Sequence, residues 1–169
     1  TEATGYGLLY FTEEMMNVMK NDTVKGKTIV VSGSGNVAIY ATEKATQLGG
    51  KVVALSDSNG YIYDPNGINL DVVKQIKEVE RGRIKEYVNR VEGATYTEGC
   101  KGIWTIKCDI ALPCATQNEI DEESAKILVA NGTKVVAEGA NMPSTPEAIA
   151  VFQKNGLLFG PAKAANAGG

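Results

Sequence analysis

The chain has 169 residues, and its 17 Lys and Arg against 20 Asp and Glu give a formal net charge of −3. A hydrophobic fraction of 43% and a charged fraction of 22% are typical of a globular domain and exclude a disordered, collagen-like or disulfide-scaffold chain. No apolar run approaches the roughly 20 residues of a membrane helix, and no polybasic block favours nucleic acid. Histidine is absent, which excludes Ser-His-Asp and Cys-His catalysis and His-containing zinc sites.

The cysteines and the two ends of the chain bear on compartment and domain organisation. Cys100, Cys108 and Cys114 are odd in number, lack metal-ligand spacing and follow no signal peptide, so we expect reduced thiols, no metal site and a cytoplasmic location. The chain begins at Thr1 rather than Met and ends at Gly169. We therefore expect residues 1–169 to be a single domain excised from a larger protein.

The first half of the chain predicts a helix followed by a strand–helix–strand unit. Apolar residues at intervals of three and four predict an amphipathic helix to about Lys20, with a stripe of Leu8, Phe11, Met15 and Val18. Met15, Met16 and Met19 are interpreted as core or interface residues. Thr28–Ser32 and Lys51–Leu55 read as buried strands that flank a helix ended by Gly49 and Gly50.

The second half continues the alternation of strands and helices. The predicted elements are a short strand Tyr61–Tyr63, a charged surface helix from Leu70 to Glu80 that resumes at Ile84–Val88, strands Ile106–Leu112 and Lys134–Ala137, helices Glu122–Ala130 and Pro146–Lys154, and an extended Leu157–Phe159. This order predicts an α/β fold of the doubly wound Rossmann type, with a mostly parallel sheet and helices on both faces.

A glycine-rich turn carries the main functional signal. Gly33, Ser34, Gly35, Asn36, Val37 and Ala38 form G-x-G-x-x-A where the first strand meets its helix. The first glycine permits a tight turn, the second lets a pyrophosphate approach the backbone, and the helix N-terminus offers free N–H groups. The position of this motif in a strand–helix–strand unit predicts dinucleotide binding.

The end of the second strand bears on which dinucleotide is bound. Asp57 stands where a carboxylate would pair with a free ribose diol, which favours NAD. Ser56 and Ser58 beside it would instead hydrogen-bond a 2′-phosphate, with Lys74, Lys77, Arg81 and Arg83 as candidate charge partners. The spacing by itself leaves NAD and NADP open.

Two loops after later strands add polar groups at the edge where open α/β sheets bind ligands. One runs from Asp109 to Asn118, and the other, after Ala137, contains Asn141, whose amide suits a carboxamide. Asn166 is a weaker candidate, and Lys163 without a visible acid partner is interpreted as a surface or structural lysine.

Five blocks together give a resemblance that covers essentially the whole chain. They are TEATGYG at 1–7, the Gly33–Ala38 fingerprint, ALPCATQN at 111–118, EGANMP at 138–143 and AKAANAGG at 162–169. In this order and spacing the sequence resembles the cofactor domain of the glutamate dehydrogenase family. The resemblance implies reversible oxidative deamination of L-glutamate to 2-oxoglutarate and ammonia, with hydride passing to or from nicotinamide.

The resemblance also implies roles for individual residues. Thr4 looks like the threonine near the nicotinamide carboxamide, and Asn141 and Asn166 resemble asparagines near nicotinamide and substrate. The other matched positions are Ser34, Asn36 and Val37 for the pyrophosphate turn, Asp57 and Ser58 for the ribose end, and Ala115, Thr116 and Asn118 for the loop on the nicotinamide side. The Ser-Asp-Ser triplet is similar to that of bacterial NADP-preferring members, which favours NADP over NAD.

The family's catalytic lysine and aspartate belong to a preceding substrate domain, and a substrate-holding serine would follow Gly169. The resemblance therefore implies that the 169-residue chain binds dinucleotide but lacks dehydrogenase activity, meets glutamate or 2-oxoglutarate only with the missing domain, and derives from a homo-hexamer. Two alternatives stay open: the cofactor domain of a leucine, valine or phenylalanine dehydrogenase, and a non-catalytic dinucleotide sensor.

Overall fold

A computed structural model of the chain describes residues 2–162 and gives seven strands with helices between them. In chain order the elements are α1 Glu2–Lys20, β1 Thr28–Ser32, α2 Asn36–Gln47, β2 Lys51–Ser56, β3 Gly60–Tyr63, α3 Leu70–Lys74 continued by a π-helical turn Gln75–Val79, a 3-10 helix Ile84–Asn89, β4 Thr95–Glu98, a 3-10 helix Cys100–Thr105, β5 Ile110–Pro113, α4 Glu122–Ala130, β6 Val135–Ala137, α5 Pro146–Lys154 and β7 Leu158–Gly160.

The strands form one sheet in the order β4-β3-β2-β1-β5-β6-β7. The five strands from β2 to β7 in this order are parallel, and β3 and β4 add an antiparallel edge next to β2. From β1 the chain crosses to β2 on one side, and later returns to β5 on the other side. This arrangement confirms the doubly wound, mostly parallel sheet and puts its switch point between the carboxyl ends of β1 and β5.

Helices cover both faces of the sheet, as predicted. One apolar core lies between the sheet and the helices α1, α2 and α3, and it includes Leu9, Ile39 and Ile76. The other core lies under α4, α5 and the 3-10 helix Cys100–Thr105, and it includes Trp104 and Phe152. Among residues 2–162, no helix is long and apolar enough to cross a lipid bilayer.

Helix α1 buries the first three residues of the predicted stripe but not the fourth. Leu8 is buried as predicted, but Val18 is 74% exposed and Met19 is 64% exposed. Phe11 and Met15 are partly buried against the core, and Leu9 and Met16 are fully buried beside them. The buried face is wider than the predicted stripe because α1 packs on both α2 and the sheet, and it ends before Val18.

Three other predictions of local structure were wrong in part. The strand predicted from Ile106 begins only at Ile110, because residues 106–109 lead out of a 3-10 helix that the apolar pattern does not reveal. The edge strand Thr95–Glu98 was missed because its mostly exposed polar residues lack a buried face. The surface helix predicted from Leu70 is present with Val73 and Ile76 buried on its apolar side, but its second half, Gln75–Val79, is a π-helical turn.

Candidate functional site

The turn after β1 requires glycine at its first position. Gly33 has φ +90°, and a Cβ placed there would lie 3.1 Å from the carbonyl oxygen of Cys114. The Gly33 N–H donates to Ser56 Oγ at 2.8 Å, and the Ser56 N–H donates to the Gly33 carbonyl at 3.2 Å. These contacts tie the ends of β1, β2 and β5 together, so the backbone passes closely between neighbouring strands, as the G-x-G-x-x-A motif predicts.

The N-terminus of α2 faces open space. Gly35 is its N-cap residue, no side chain caps the helix, and the first turn holds no acidic residue. A Cβ built on Gly35 meets no atom within 4 Å, whereas Ala38 one turn later is buried in the core. The first N–H groups of α2 and the positive end of its dipole are therefore available to an anion.

A cavity of about 550 Å³ opens at the switch point beside this turn. It lies outside the carboxyl ends of β1, β2 and β5, which is where open α/β sheets bind ligands. Of the residues predicted from the sequence, the lining includes Gly33, Ser34, Gly35, Asp57, Ser58, Ala115, Thr116 and Asn118. Residues from three separate parts of the sequence thus meet at one concave surface.

The carboxylate of Asp57 is held by backbone groups rather than left free. Its Oδ1 accepts the N–H groups of Asn59 at 2.9 Å and Gly60 at 3.2 Å, and its Oδ2 accepts the N–H of Ile84 at 3.1 Å. The side chain is 6% exposed and lies 3.3 Å from Arg83 Nη2. Asp57 therefore fixes the turn after β2 and the start of the 3-10 helix at 84–89, which the ribose prediction did not anticipate.

Arg83 is the basic residue that reaches the serine of this turn. Its Nη2 donates to Ser58 Oγ at 2.8 Å while the guanidinium stays half exposed. The other predicted candidates include Lys74, which pairs with Glu43 at 3.0 Å, and Lys77, which donates to a backbone carbonyl at 3.2 Å. The fold thus brings a cation and a hydroxyl side by side at the rim of the cavity.

A carboxylate that was not predicted as a site residue accepts hydrogen bonds from the backbone of the loop after β5. Glu119 Oε2 accepts the N–H groups of Ala115 at 3.0 Å and Thr116 at 3.1 Å. The Ser32 hydroxyl also bonds to Glu119 and accepts the Cys114 N–H at 3.0 Å. The available signal was position, since Glu119 is the first charged residue after β5.

Burial shifts the pKa of two groups in this loop upward. Desolvation raises the pKa of Glu119 above its usual value, although the hydrogen bonds from Ser32, Ala115 and Thr116 oppose the shift. Burial also raises the pKa of the Cys114 thiol, and the charge of Glu119 adds to that effect. Cys114 is therefore a neutral thiol in the wall of the cavity.

The far wall of the cavity comes from the 3-10 helix at 100–105 and the start of α4. Cys100, Lys101 and Trp104 line it, and Lys101 Nζ lies 2.5 Å from Asp121 Oδ2. Asp121 also caps α4 by accepting the Ser124 N–H at 2.9 Å. This wall could not be predicted from the sequence, because a short 3-10 helix has neither helical nor strand periodicity.

Four of the predicted residues lie outside the cavity lining, namely Thr4, Asn36, Val37 and Asn141. Asn36 is exposed at the first turn of α2, and Val37 is half-buried there. Thr4 precedes Gly5 in α1, and a Cβ on Gly5 would lie 3.0 Å from the Val37 carbonyl oxygen, so α1 passes directly against that turn.

The loop after β6 borders the same region. A Cβ on Gly139 would lie 2.8 Å from Leu8 and 3.4 Å from Val37, so this loop also meets α1 and α2, and Asn141 is exposed on it. Asn166 and Lys163 lie outside the described residues.

Comparisons with known proteins agree on one family. The profile described as Glutamate/Leucine/Phenylalanine/Valine dehydrogenase matches residues 1–169. The chain is 58% identical to a glutamate dehydrogenase of Bacteroides thetaiotaomicron, covering 99% of this chain and 38% of that protein. It is 55% identical to an NADP-specific glutamate dehydrogenase of Haemophilus influenzae, covering 99% of this chain and 37% of that protein.

A solved structure gives the same picture. The crystal structure of Plasmodium falciparum glutamate dehydrogenase superposes with a TM-score of 0.93 at 50% identity, covering 99% of this chain and 36% of that one. The chain therefore spans less than two fifths of the length of each of these three relatives.

Proposed function

Because the chain belongs to the glutamate/leucine/phenylalanine/valine dehydrogenase family, we propose that it is the nicotinamide-dinucleotide-binding domain of a glutamate dehydrogenase. One observation carries the proposal: the Gly33 turn and the uncapped N-terminus of α2 open onto a cavity of about 550 Å³ at the switch point of the sheet. Backbone N–H groups, a helix dipole and unfilled space over Gly35 are what a pyrophosphate needs.

The dinucleotide lies across the carboxyl ends of β1 and β5. Its pyrophosphate meets the turn from Gly33 to Val37, and its adenosine half enters the cavity beside Ser58. Its nicotinamide half lies toward Thr4 in the first turn of α1 and the loop that carries Asn141, which border the opposite side of the turn. Asn141 is free at the surface to pair with a carboxamide, which needs one donor and one acceptor.

We propose NADP rather than NAD as the preferred cofactor. The supporting observation is the contact between Arg83 and Ser58, since a guanidinium and a hydroxyl at one edge of the cavity offer charge-assisted hydrogen bonds to a 2′-phosphate. Asp57 does not oppose this, because its carboxylate is occupied by three backbone N–H groups and Arg83. The Haemophilus relative is itself named NADP-specific.

The parent reaction proposed is L-glutamate plus NADP⁺ and water giving 2-oxoglutarate, ammonia and NADPH. The bound dinucleotide supplies the hydride acceptor, and this chain binds and orients it. We propose glutamate as the substrate, rather than leucine, valine or phenylalanine, because the relatives at 55–58% identity are named glutamate dehydrogenases. The 169-residue chain by itself is proposed to be inactive, and a homo-hexameric parent stays a prediction. A cytoplasmic location likewise stays a prediction.

The test is an equilibrium titration of the 169-residue chain with NADPH and NADH side by side, followed by nucleotide fluorescence. We expect both to bind and NADPH to bind more tightly, with a preference that weakens as salt is added, because screening reduces the attraction between Arg83 and a 2′-phosphate. Tighter binding of NADH would overturn the NADP assignment, and binding of neither would overturn the proposed function. Formation of NADPH from glutamate by this chain would overturn its proposed inactivity.

A further inference from the structure

Glu119 holds the loop after β5 from inside the cavity. Its Oε2 accepts two successive N–H groups, those of Ala115 and Thr116, and Ser32 links it to the N–H of Cys114. Residues 115–118 are exposed, so few other contacts restrain them. Successive N–H groups that converge in this way form a concave anion site, and the side chain of Glu119 fills it.

Within the part of the chain that the structure describes, the Glu119 carboxylate has no cation paired with it. The charged side chains that share the cavity are Asp57, Lys101 and Asp121. Lys101 forms an ion pair with Asp121, and Asp57 forms one with Arg83. Each of the other charged side chains in the cavity therefore already has a partner of opposite charge. On its own loop Cys114 faces it as a neutral thiol, and from β1 Ser32 faces it as an uncharged hydroxyl.

We propose that Glu119 is a positioning residue of the dinucleotide site, which holds loop 114–118 for the nucleotide and strengthens nucleotide binding when its carboxyl group takes up a proton. This inference rests on the proposed dinucleotide binding. A pyrophosphate at the Gly33 turn, which lines the same cavity as Glu119, brings two negative charges near this carboxylate, and the repulsion is large where water is partly excluded. The neutral acid keeps its carbonyl oxygen as an acceptor for the loop N–H groups.

Linkage fixes the direction of the effect. If the neutral form of Glu119 binds nucleotide better, binding must raise the pKa of Glu119 further and draw a proton from solution. The raised pKa of the free site, caused by burial, already brings this protonation closer to neutral pH. Affinity should therefore rise as pH falls toward the pKa of Glu119, by about tenfold for each unit by which binding shifts that pKa.

The first measurement is calorimetric titration of the 169-residue chain with NAD⁺ between about pH 5 and about pH 8, in pairs of buffers with different ionisation enthalpies. NAD⁺ is the probe because it lacks a 2′-phosphate that would itself titrate in this range. The chain holds no histidine, so few other side chains change charge there. Net proton uptake on binding is expected. Binding without proton uptake would overturn the role of Glu119 and leave the proposed function standing, whereas no binding at any pH would overturn the proposed function.

The second measurement uses Glu119→Gln, which keeps an acceptor oxygen but cannot ionise. It should bind NAD⁺ at about pH 8 as tightly as the unchanged chain does at low pH, with a flat pH profile. Asp64→Asn is the matched control, because Asp64 is also buried and accepts two hydrogen bonds, from the Asn66 N–H and the Tyr87 hydroxyl, but lies outside the cavity lining. The affinity of this control variant for NAD⁺ should depend on pH as steeply as that of the unchanged chain. An unaltered slope in Glu119→Gln would contradict the proposal.

Discussion

Asn118 and Met142 both adopt the left-handed backbone conformation, and the Asn118 N–H donates to the Met142 carbonyl at 3.0 Å. Asn118 has φ +58° and Met142 has φ +48°, which non-glycine residues adopt infrequently. The bond joins the loop after β5 to the loop after β6. The two loops that carry predicted nicotinamide-side residues therefore form one connected unit, next to the turn of Gly33.

This geometry separates two roles of Asn118. We expect Asn118→Gly to keep the fold, because glycine tolerates φ +58°, but to weaken dinucleotide binding if the amide side chain contacts the ligand. Asn118→Ala should lose the same affinity and also about 1 kcal/mol of unfolding free energy from backbone strain. Urea unfolding and nucleotide titration of both variants check this. Unchanged affinity in Asn118→Gly would mean that only the backbone of Asn118 matters.

Gly35→Ala should change binding without changing stability. Its φ of −82° suits alanine, and the added methyl group meets no protein atom within 4 Å, so we expect the unfolding free energy to stay within about 0.5 kcal/mol. The methyl group would occupy the space proposed for the pyrophosphate and weaken NADPH binding by about tenfold or more. Gly7→Ala in α1 is the control, since it also adds a methyl group in open space and Gly7 does not line the cavity. Equal effects of the two variants on binding would contradict the placement of the pyrophosphate.

Arg83→Gln should remove the preference between the two cofactors. The change deletes the cation beside Ser58, so NADPH should bind about tenfold more weakly while NADH is nearly unaffected. Lys126→Gln, which removes one exposed positive charge from α4, controls for net charge. Parallel titrations with both nucleotides measure the ratio. If Arg83→Gln weakens NADH as much as NADPH, Arg83 does not read the 2′-phosphate.

Asp57→Asn should act first on stability. The amide would place a donor against backbone N–H groups that the carboxylate now accepts, at a cost of about 1–3 kcal/mol of unfolding free energy. The loss should be seen in urea unfolding without any nucleotide. Glu92→Gln is the control, and it should change the unfolding free energy little because the Glu92 side chain is exposed. If Asp57→Asn keeps full stability and only weakens nucleotide binding, the carboxylate serves the ribose after all.

One thiol of three should react readily in the folded chain. Cys100 is exposed in the cavity wall, whereas burial raises the pKa of Cys108 to about 11 and raises that of Cys114 further still. At about pH 8 an aromatic disulfide reagent should therefore label Cys100 quickly and the other two only on unfolding. Cys100→Ser should remove the fast phase, and NADPH should slow it. Equal labelling rates for the three thiols would contradict the prediction, because they would show that Cys108 and Cys114 are accessible to the reagent in the folded chain.

Local sequence determined much of this fold because its causes are local. The run Thr28–Ser32, the Gly33 turn and the helix behind it could be predicted from β-branched residues, glycine and helical spacing, each of which acts over a few residues. The edge strand Thr95–Glu98 could not, since it is set by pairing with β3, more than thirty residues earlier. The buried face of α1 likewise depends on what α2 and the sheet present to it.

The candidate site divides in the same way. The glycine turn, the serines beside Asp57 and the polar loop after β5 could be predicted, because strand ends and turn chemistry reveal them. The role of each charged side chain depends instead on which distant groups the fold brings next to it. The Asp57 carboxylate accepts a hydrogen bond from the N–H of Ile84, 27 residues later in the sequence, and Arg83 donates to Ser58 across a similar sequence separation. Hydrogen bonds between such distant groups depend on how the chain packs, and no local pattern encodes that distance.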